Sequence, residues 1–298
     1  MLKGILSIVS GCLPKFLGKP ERDATYIPLM DILRRKFPDE KKRDSVKIMV
    51  PGSGLGRLAF DLAEEGFIVE GNEYSMIMLM TSSFLLNGCL KENEYFIYPY
   101  TLDKSNCWSY ADQTRPIYFP DTGKSEREVS VLVIHLFAIQ IIPFSLRHIR
   151  HFVYSVPFFL QKPLNMSMIA GDFLEVTKSR NETFDCVVTA WFIDTAKNII
   201  DYIETIYRLL KPGGSWLNVG PLTYHYEDMP DEMSIELPYE EVMRIIRLTG
   251  FEVVKEERIA SYYTKNRLSM LKNQYTCAFF EVIKPSLSDA KLDAASEQ

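Results

Sequence analysis

The stretch "VPGSGLGRLAFDLAEEGFIVEGNEYS", Val50 to Ser75, constrains the fold of this chain more than any other. A β-rich run, "SVKIMV" (45–50), ends at Pro51, and glycines then occupy positions Gly52, Gly54 and Gly56. "GRLAFDLAEEG" (56–66) sets Leu58, Ala59, Leu62 and Ala63 at helical spacing and stops at Gly66. "FIVEGNE" (67–73) reads as a second strand that ends on Glu73, 21 residues after Gly52. Strand, glycine turn, helix, strand and terminal acid form the opening unit of a nucleotide-binding α/β fold. The turn lets the backbone approach the ligand, and the acid binds ribose hydroxyls.

The glycine spacing separates two ligands. A dinucleotide fold asks for G-x-G-x-x-G, with the third glycine inside the helix for close packing. Here the pattern is Gly52-x-Gly54-x-Gly56 with Arg57 directly after it. The tighter spacing suits a loop bent around a small phosphate-free ligand such as S-adenosylmethionine. The plain alternative is a glycine-rich turn that holds nothing.

The remaining pattern alternates in the same manner. "SMIMLMTSSFLLN" (75–87) reads as an apolar helix with Ser75 as N-cap. "SMIAGDF" (167–173) is a third strand leading to an acidic turn, and "FDCVVTAWFID" (184–194) is a strand buried on both faces. "NIIDYIETIYRLL" (198–210) is an amphipathic helix closed by Lys211-Pro212-Gly213-Gly214, and "SWLNVG" (215–220) is the next strand. A helix (237–250) and two strands (251–259 and 274–283) complete the order. The pattern predicts an α/β fold: a doubly wound, mostly parallel, seven-stranded Rossmann-like sheet with an antiparallel last strand, the late-sheet layout of class I methyltransferases. Residues 94–128 read as a long aromatic-rich excursion between strands, and 285–298 as a disordered polar tail. A second nucleotide-binding half, expected of a hydride-transfer enzyme, is not repeated.

A net charge of -5 argues against nucleic-acid or anionic-membrane binding, which call for clustered Lys and Arg. The five cysteines are scattered without metal spacing, so no metal site is expected and a reducing compartment is. The three tryptophans, Trp108, Trp191 and Trp216, read as core residues. The first residues carry only a weak match to a signal peptide.

One segment does not fit. Residues 129–146, "VSVLVIHLFAIQIIPFSL", hold no Asp, Glu, Lys or Arg, although their flanks read as ordinary loop. Val129-Ser130 can be encoded by GTA AGT, an intron donor, and Phe158-Phe159-Leu160-Gln161 by TTT TTC CTA CAG, a pyrimidine tract and acceptor in the same phase. The leading expectation is that 129–161 is translated intron. An apolar surface insertion and a membrane anchor remain the alternatives. Without these residues Arg147 and Arg150 are lost, the net charge becomes -7, and His225 is the one histidine left.

The words "VPGSGLGRLAFDLAEEGF", "GNEYS", "ADQTRPIYFPD", "AGDF", "WFIDTAKNIIDYI", "LLKPGG", "GPLTYHYED", "SIELPYEEV" and "LSML" fall in order along the chain. Together they resemble the carnosine N-methyltransferase family, over residues 20–128 and 162–284. The resemblance implies S-adenosylmethionine-dependent methylation of the imidazole of carnosine (β-alanyl-histidine) to anserine, with other histidyl peptides as further acceptors. It implies that Gly52, Gly54, Gly56 and Glu73 bind the cofactor, that Asp172 and Phe173 hold its adenine side, and that Ala190 lines the site. Asp194, His225, Tyr263 and Tyr275 are the implied substrate contacts, with Asp194 and His225 carrying the chemistry. The family runs directly from "FPD" to "AGDF", which agrees with excising 129–161.

The family also has a helical N-terminal region that supplies a glutamine and an arginine to the cofactor site. Residues 1–20 here do not carry that pattern, so a methyltransferase domain at 21–284 behind an atypical, truncated N-terminus is expected. The expected partner is a small dipeptide, with no nucleic acid, no stable membrane association and a possible homodimer. The expected location is cytoplasmic, with the nucleus in addition. The competing functions are a catalytically impaired methyltransferase-fold binding protein, a methyltransferase for another small or protein histidine acceptor, and a nucleotide-dependent oxidoreductase.

Overall fold

The computed structural model of the protein describes residues 19–88, 91–121, 132–134, 164–262, 266 and 268–286. Its centre is a sheet of β1 (Lys47–Pro51), β2 (Ile68–Glu73), β5 (Leu132–Ile134), β6 (Met166–Ala170), β7 (Phe184–Ala190), β8 (Leu210–Gly220), β9 (Glu252–Ser261) and β10 (Tyr275–Ile283). The order across the sheet is β5-β6-β2-β1-β7-β8-β10-β9. Pairings from β5 through β8 are parallel, and β10 runs antiparallel to both β8 and β9. The expected seven strands and the antiparallel last strand are present. The eighth, β5, is three residues of the apolar segment laid along β6.

Residue alternation sends successive side chains to opposite faces. Ile48, Val50, Val188, Val219 and Phe279 pack with α1 (Lys19–Lys36), α2 (Arg57–Glu64) and α3 (Met76–Ser83). Met49, Val187, Trp216, Phe280 and Val282 pack with α5 (Phe173–Thr177), α6 (Ile199–Leu209) and α7 (Tyr239–Leu248). Both faces of the sheet are covered, as a parallel sheet requires. Ser75 caps α3 as anticipated, its Oγ accepting from the Met78 N–H at 3.4 Å, and Asn198 caps α6 at Ile200.

Three local outcomes differ from the sequence pattern. α1 carries Pro28 in its interior and shows no clean apolar stripe, yet Leu29, Ile32 and Leu33 are buried against the sheet. Second, β8 begins at Leu210, with Lys211-Pro212-Gly213-Gly214 forming a bulge in it. The backbone bonds Gly213 N to Lys284 O (2.7 Å) and Lys284 N to Gly214 O (2.9 Å) draw this stretch into the sheet. Third, the aromatic excursion contains a two-stranded ribbon of β3 (Tyr95–Ile97) and β4 (Ile117–Phe119), with α4 (Tyr110–Gln113) between them.

Candidate functional site

Because β1, β2, β6, β7 and β8 are parallel, their carboxyl ends share one edge of the sheet. Antiparallel β10 starts at that edge. Ligands in such folds bind outside the carboxyl ends, where the strand order reverses, here between β1 and β7. Gly52, Glu73, Asp172, Ala190, Asp194, His225 and Tyr275 lie on these strand ends or on the loops that leave them.

The loop after β1 holds Gly52, Gly54 and Gly56 at φ of 64°, 56° and 82°, the left-handed region that costs L-residues about 1–2 kcal/mol each. A Cβ on Gly52 would lie 2.4 Å from the Phe192 ring, so the loop is pressed onto the turn that follows β7. Glu73 closes the loop from β2. Its Oε2 accepts from the Gly54 N–H and its Oε1 from the Ser75 N–H, both at 2.8 Å. Burial pushes this carboxyl above its ordinary value, and the N–H groups of Ser75, Gly54 and Tyr74 oppose that shift. Asn72, missed by sequence reasoning, donates to the carbonyls of Ile169 and Gly171 and so ties the ends of β2 and β6 together.

Beyond β6, Asp172 caps α5, with Oδ1 accepting from the N–H groups of Leu174 (2.9 Å) and Glu175 (3.2 Å). Only one carboxylate oxygen is used by the cap. Phe173 is 2% exposed and meets Phe192 and Tyr202 edge to face at 5.4 and 5.2 Å. Phe192 and Tyr202 stack at 4.8 Å. Burial pushes the Tyr202 hydroxyl up to about 12, opposed by its hydrogen bond with the Thr195 side chain. Phe173 therefore sits inside this aromatic cluster, under the loop.

At the end of β7, Ala190 is half-buried and the chain turns through Trp191 at φ 57°. Asp194 follows on the turn Ile193–Thr195 and is 2% exposed. Its Oδ2 accepts from the Thr223 N–H (2.9 Å) and from the Thr223 hydroxyl (2.7 Å). Its Oδ1 is buried and has no hydrogen-bond partner among the described residues. Such an orphan costs about 1–3 kcal/mol and marks a place where a donor is expected. The loop after β8 is fixed around it: His225 N donates to the Asp194 carbonyl at 3.0 Å, and the Tyr224 hydroxyl both donates to Leu237 O and accepts from Leu237 N. The His225 side chain is exposed. Tyr275 opens β10 at the same edge, its ring edge-on to Trp191 at 5.1 Å. Tyr263 lies outside the described residues.

The structure thus brings two groups to one edge: Gly52, Gly54, Gly56 and Glu73 with Asp172, and Asp194 with the backbone of His225. A second feature absent from the sequence reading is an ion network beside the loop. Arg57 donates to Asp121 (2.6 Å) and Asp61 (2.7 Å), and Arg22 of α1 donates to Asp121 (3.2 Å). Among the described residues no cluster of three His, Cys, Asp or Glu side chains could hold a metal, and no helix is long and apolar enough to cross a membrane.

A family model described as carnosine N-methyltransferase matches residues 15–286. The carnosine N-methyltransferase of Rattus norvegicus is 43% identical over 270 residues, 90% of this chain and 59% of its own length. That of Schizosaccharomyces pombe is 38% identical over 264 residues, covering 85% and 62%, and that of Drosophila melanogaster is 37% identical over 273, covering 91% and 52%. The chain therefore spans little more than half the length of these relatives. Since the family model takes in both the glycine loop and the Asp194 turn, this chain belongs to the carnosine N-methyltransferase family.

Proposed function

We propose that this protein transfers a methyl group from S-adenosylmethionine to the imidazole of carnosine, giving anserine. One observation of the structure carries the reading: a buried carboxylate oxygen, Asp194 Oδ1, with no hydrogen-bond partner among the described residues, at the carboxyl edge beside the strand-order reversal. Family membership supports the chemistry.

The residues present fit the cofactor. Glu73 offers a carboxylate for ribose hydroxyls beside the left-handed glycine loop, and Asp172 keeps one oxygen outside its cap. Bound there, the cofactor supplies a methyl group activated on a sulfonium. The chain's own task is positioning, which accounts for a large share of the barrier in such transfers. An imidazole with a pKa of about 6.5 is mostly neutral near pH 7 and already carries the attacking lone pair, so no strong base is needed. Asp194 Oδ1 accepts the N–H of the non-attacking nitrogen. That contact selects the tautomer, orients the ring and stabilises the positive charge that forms on it. Thr223 holds the other oxygen away from this task, and the His225 side chain, on the loop bonded to Asp194, faces the dipeptide ends.

The test is incubation of purified protein with S-adenosylmethionine and carnosine, followed by mass spectrometry. Anserine is the expected product. Binding of S-adenosylhomocysteine without methylation of carnosine would favour the impaired binding protein, and methylation of a histidine-containing protein alone would favour a protein acceptor.

A further inference from the structure

We propose that Trp191, which by sequence reads as a core residue, is a substrate-positioning residue: with Tyr275 it forms the aromatic corner that receives the acceptor's imidazole ring. The inference rests on the methyl-transfer reading above and deepens it.

Three observations carry it. First, Trp191 adopts φ 57°. A bulky side chain in the left-handed region is a genuine outlier, and such strain persists only where the surroundings impose it. Here they do: Trp191 N donates to Val219 O at 2.8 Å, and the absent side chain of Gly220 makes room, since a Cβ there would stand 3.2 Å from Trp191 N. The indole packs against the rim of the core and remains half-buried. The left-handed turn sends the chain sharply off the end of β7, so that Trp191 and Asp194 flank a single bend at the edge of the sheet.

Second, Trp191 and Tyr275 stand at 88° with their centroids 5.1 Å apart, and both residues are half-buried. Two rings at right angles offer one face and one edge, the two contacts that a flat heteroaromatic ring prefers. Third, the corner belongs to β7 and β10, whereas the adenine-side acid Asp172 follows β6, three strands away from β7 in the sheet order. The corner is therefore placed for the acceptor rather than for the nucleoside. An indole face also attracts the imidazolium charge formed on transfer, by about 0.5–2 kcal/mol depending on exposure.

The test is a titration of carnosine into the protein saturated with S-adenosylhomocysteine, read by tryptophan emission, alongside steady-state turnover. Of the three tryptophans, Trp216 is fully buried and Trp108 is 70% exposed on the aromatic excursion, so Trp191 is expected to report acceptor binding. Wild type should show a saturable emission change, and W191F should lose it while still binding S-adenosylhomocysteine. W191A should raise the KM for carnosine about tenfold and leave S-adenosylhomocysteine affinity within about twofold. An emission change that survives in W191F, or a W191A enzyme with unaltered KM, overturns the assignment. If W191A does not fold, the W191F emission result decides alone. Wild-type protein that makes no anserine removes the methyl-transfer reading and this proposal with it, whereas anserine formation with a silent indole removes only the role of Trp191.

Discussion

Thr223 gives both its N–H and its hydroxyl to a single oxygen of Asp194, and the second oxygen is buried without a hydrogen-bond partner among the described residues. Two donors on one side fix the plane of the carboxylate. Replacing Thr223 with Val removes the hydroxyl and keeps the N–H bond, so the carboxylate is loosened but not lost. A hydrogen bond to a charged group contributes about 1.5–3 kcal/mol, and part of this should appear as a roughly fivefold to tenfold fall in kcat. Thr223→Ser should restore most of the rate. Equal kcat for wild type and T223V would show that the hydroxyl does not position Asp194.

Gly52 and Gly213 separate backbone strain from site geometry. Both have positive φ, 64° and 78°, but a Cβ on Gly52 strikes the Phe192 ring at 2.4 Å while one on Gly213 meets nothing within 4 Å. Gly213→Ala should cost about 1 kcal/mol of stability and leave activity unchanged. Gly52→Ala should lower stability by about 2–4 kcal/mol and weaken S-adenosylhomocysteine binding as well. Thermal melts and calorimetry on the two variants read both quantities.

Glu73 predicts a stability–function trade-off with a defined sign. Its carboxyl is raised by burial, so the folded chain holds the proton more tightly than the unfolded chain. The charged form therefore costs stability, a cost absent below the ordinary carboxylate value and fully present once pH has risen past the folded value. The ligand-free wild type should therefore lose stability as pH rises through that window, and Glu73→Gln, which has no titrating group but sets an amide NH2 against one of the two N–H donors, should lose this pH dependence and melt lower. The same variant should bind S-adenosylhomocysteine at least about tenfold more weakly, since an acceptor for two hydroxyls is lost. The same pH dependence in wild type and variant, combined with unchanged affinity, would contradict both halves.

Much of the site was legible because its demands fall on residue types. Left-handed turns at Gly52, Gly54 and Gly56 call for glycine, and the Ser75 cap calls for a short polar side chain, so both were readable from spacing. Other features depend on partners far along the chain. Nothing in "WFID" announces that Trp191 is left-handed, because the conformation is imposed by β8 through Val219. The burial of Phe173 against Tyr202 and the joining of Arg22 to Asp121, 99 residues apart, are products of the fold. α1 escaped notice because Pro28 interrupts its pattern, although packing against the sheet holds the helix.

The Arg22–Asp121–Arg57 network joins α1 to the helix that leaves the glycine loop. Arg22 and Arg57 are 7% and 8% exposed, so removing their shared acid takes one carboxylate away from each of two buried cations. Asp121→Ala should cost about 1–3 kcal/mol, offset by the remaining pairing of both Arg57 and Arg22 with Asp61. Chemical denaturation checks it, and a change below about 0.5 kcal/mol would mark the network as a solvated surface cluster.

Residues 129–161 give a prediction at the level of the message. If they are translated intron, the transcript across codons 125–165 should exist in a form that lacks 33 codons between GT and AG. Protein made from that form should retain the seven other strands and should melt cooperatively. Genomic codons other than GT and AG at the two edges would end the idea.

In the proposed function, this fold methylates an imidazole held by Asp194. The most direct measurement is transfer of a labelled methyl group from S-adenosylmethionine to carnosine by wild type and Asp194→Asn, with S-adenosylhomocysteine affinity measured on both. The expected result is label on the imidazole ring, a fall in kcat of about 10- to 100-fold in the variant, and cofactor affinity within about twofold. Equal turnover by the two proteins, or label on any group other than the ring, would contradict it.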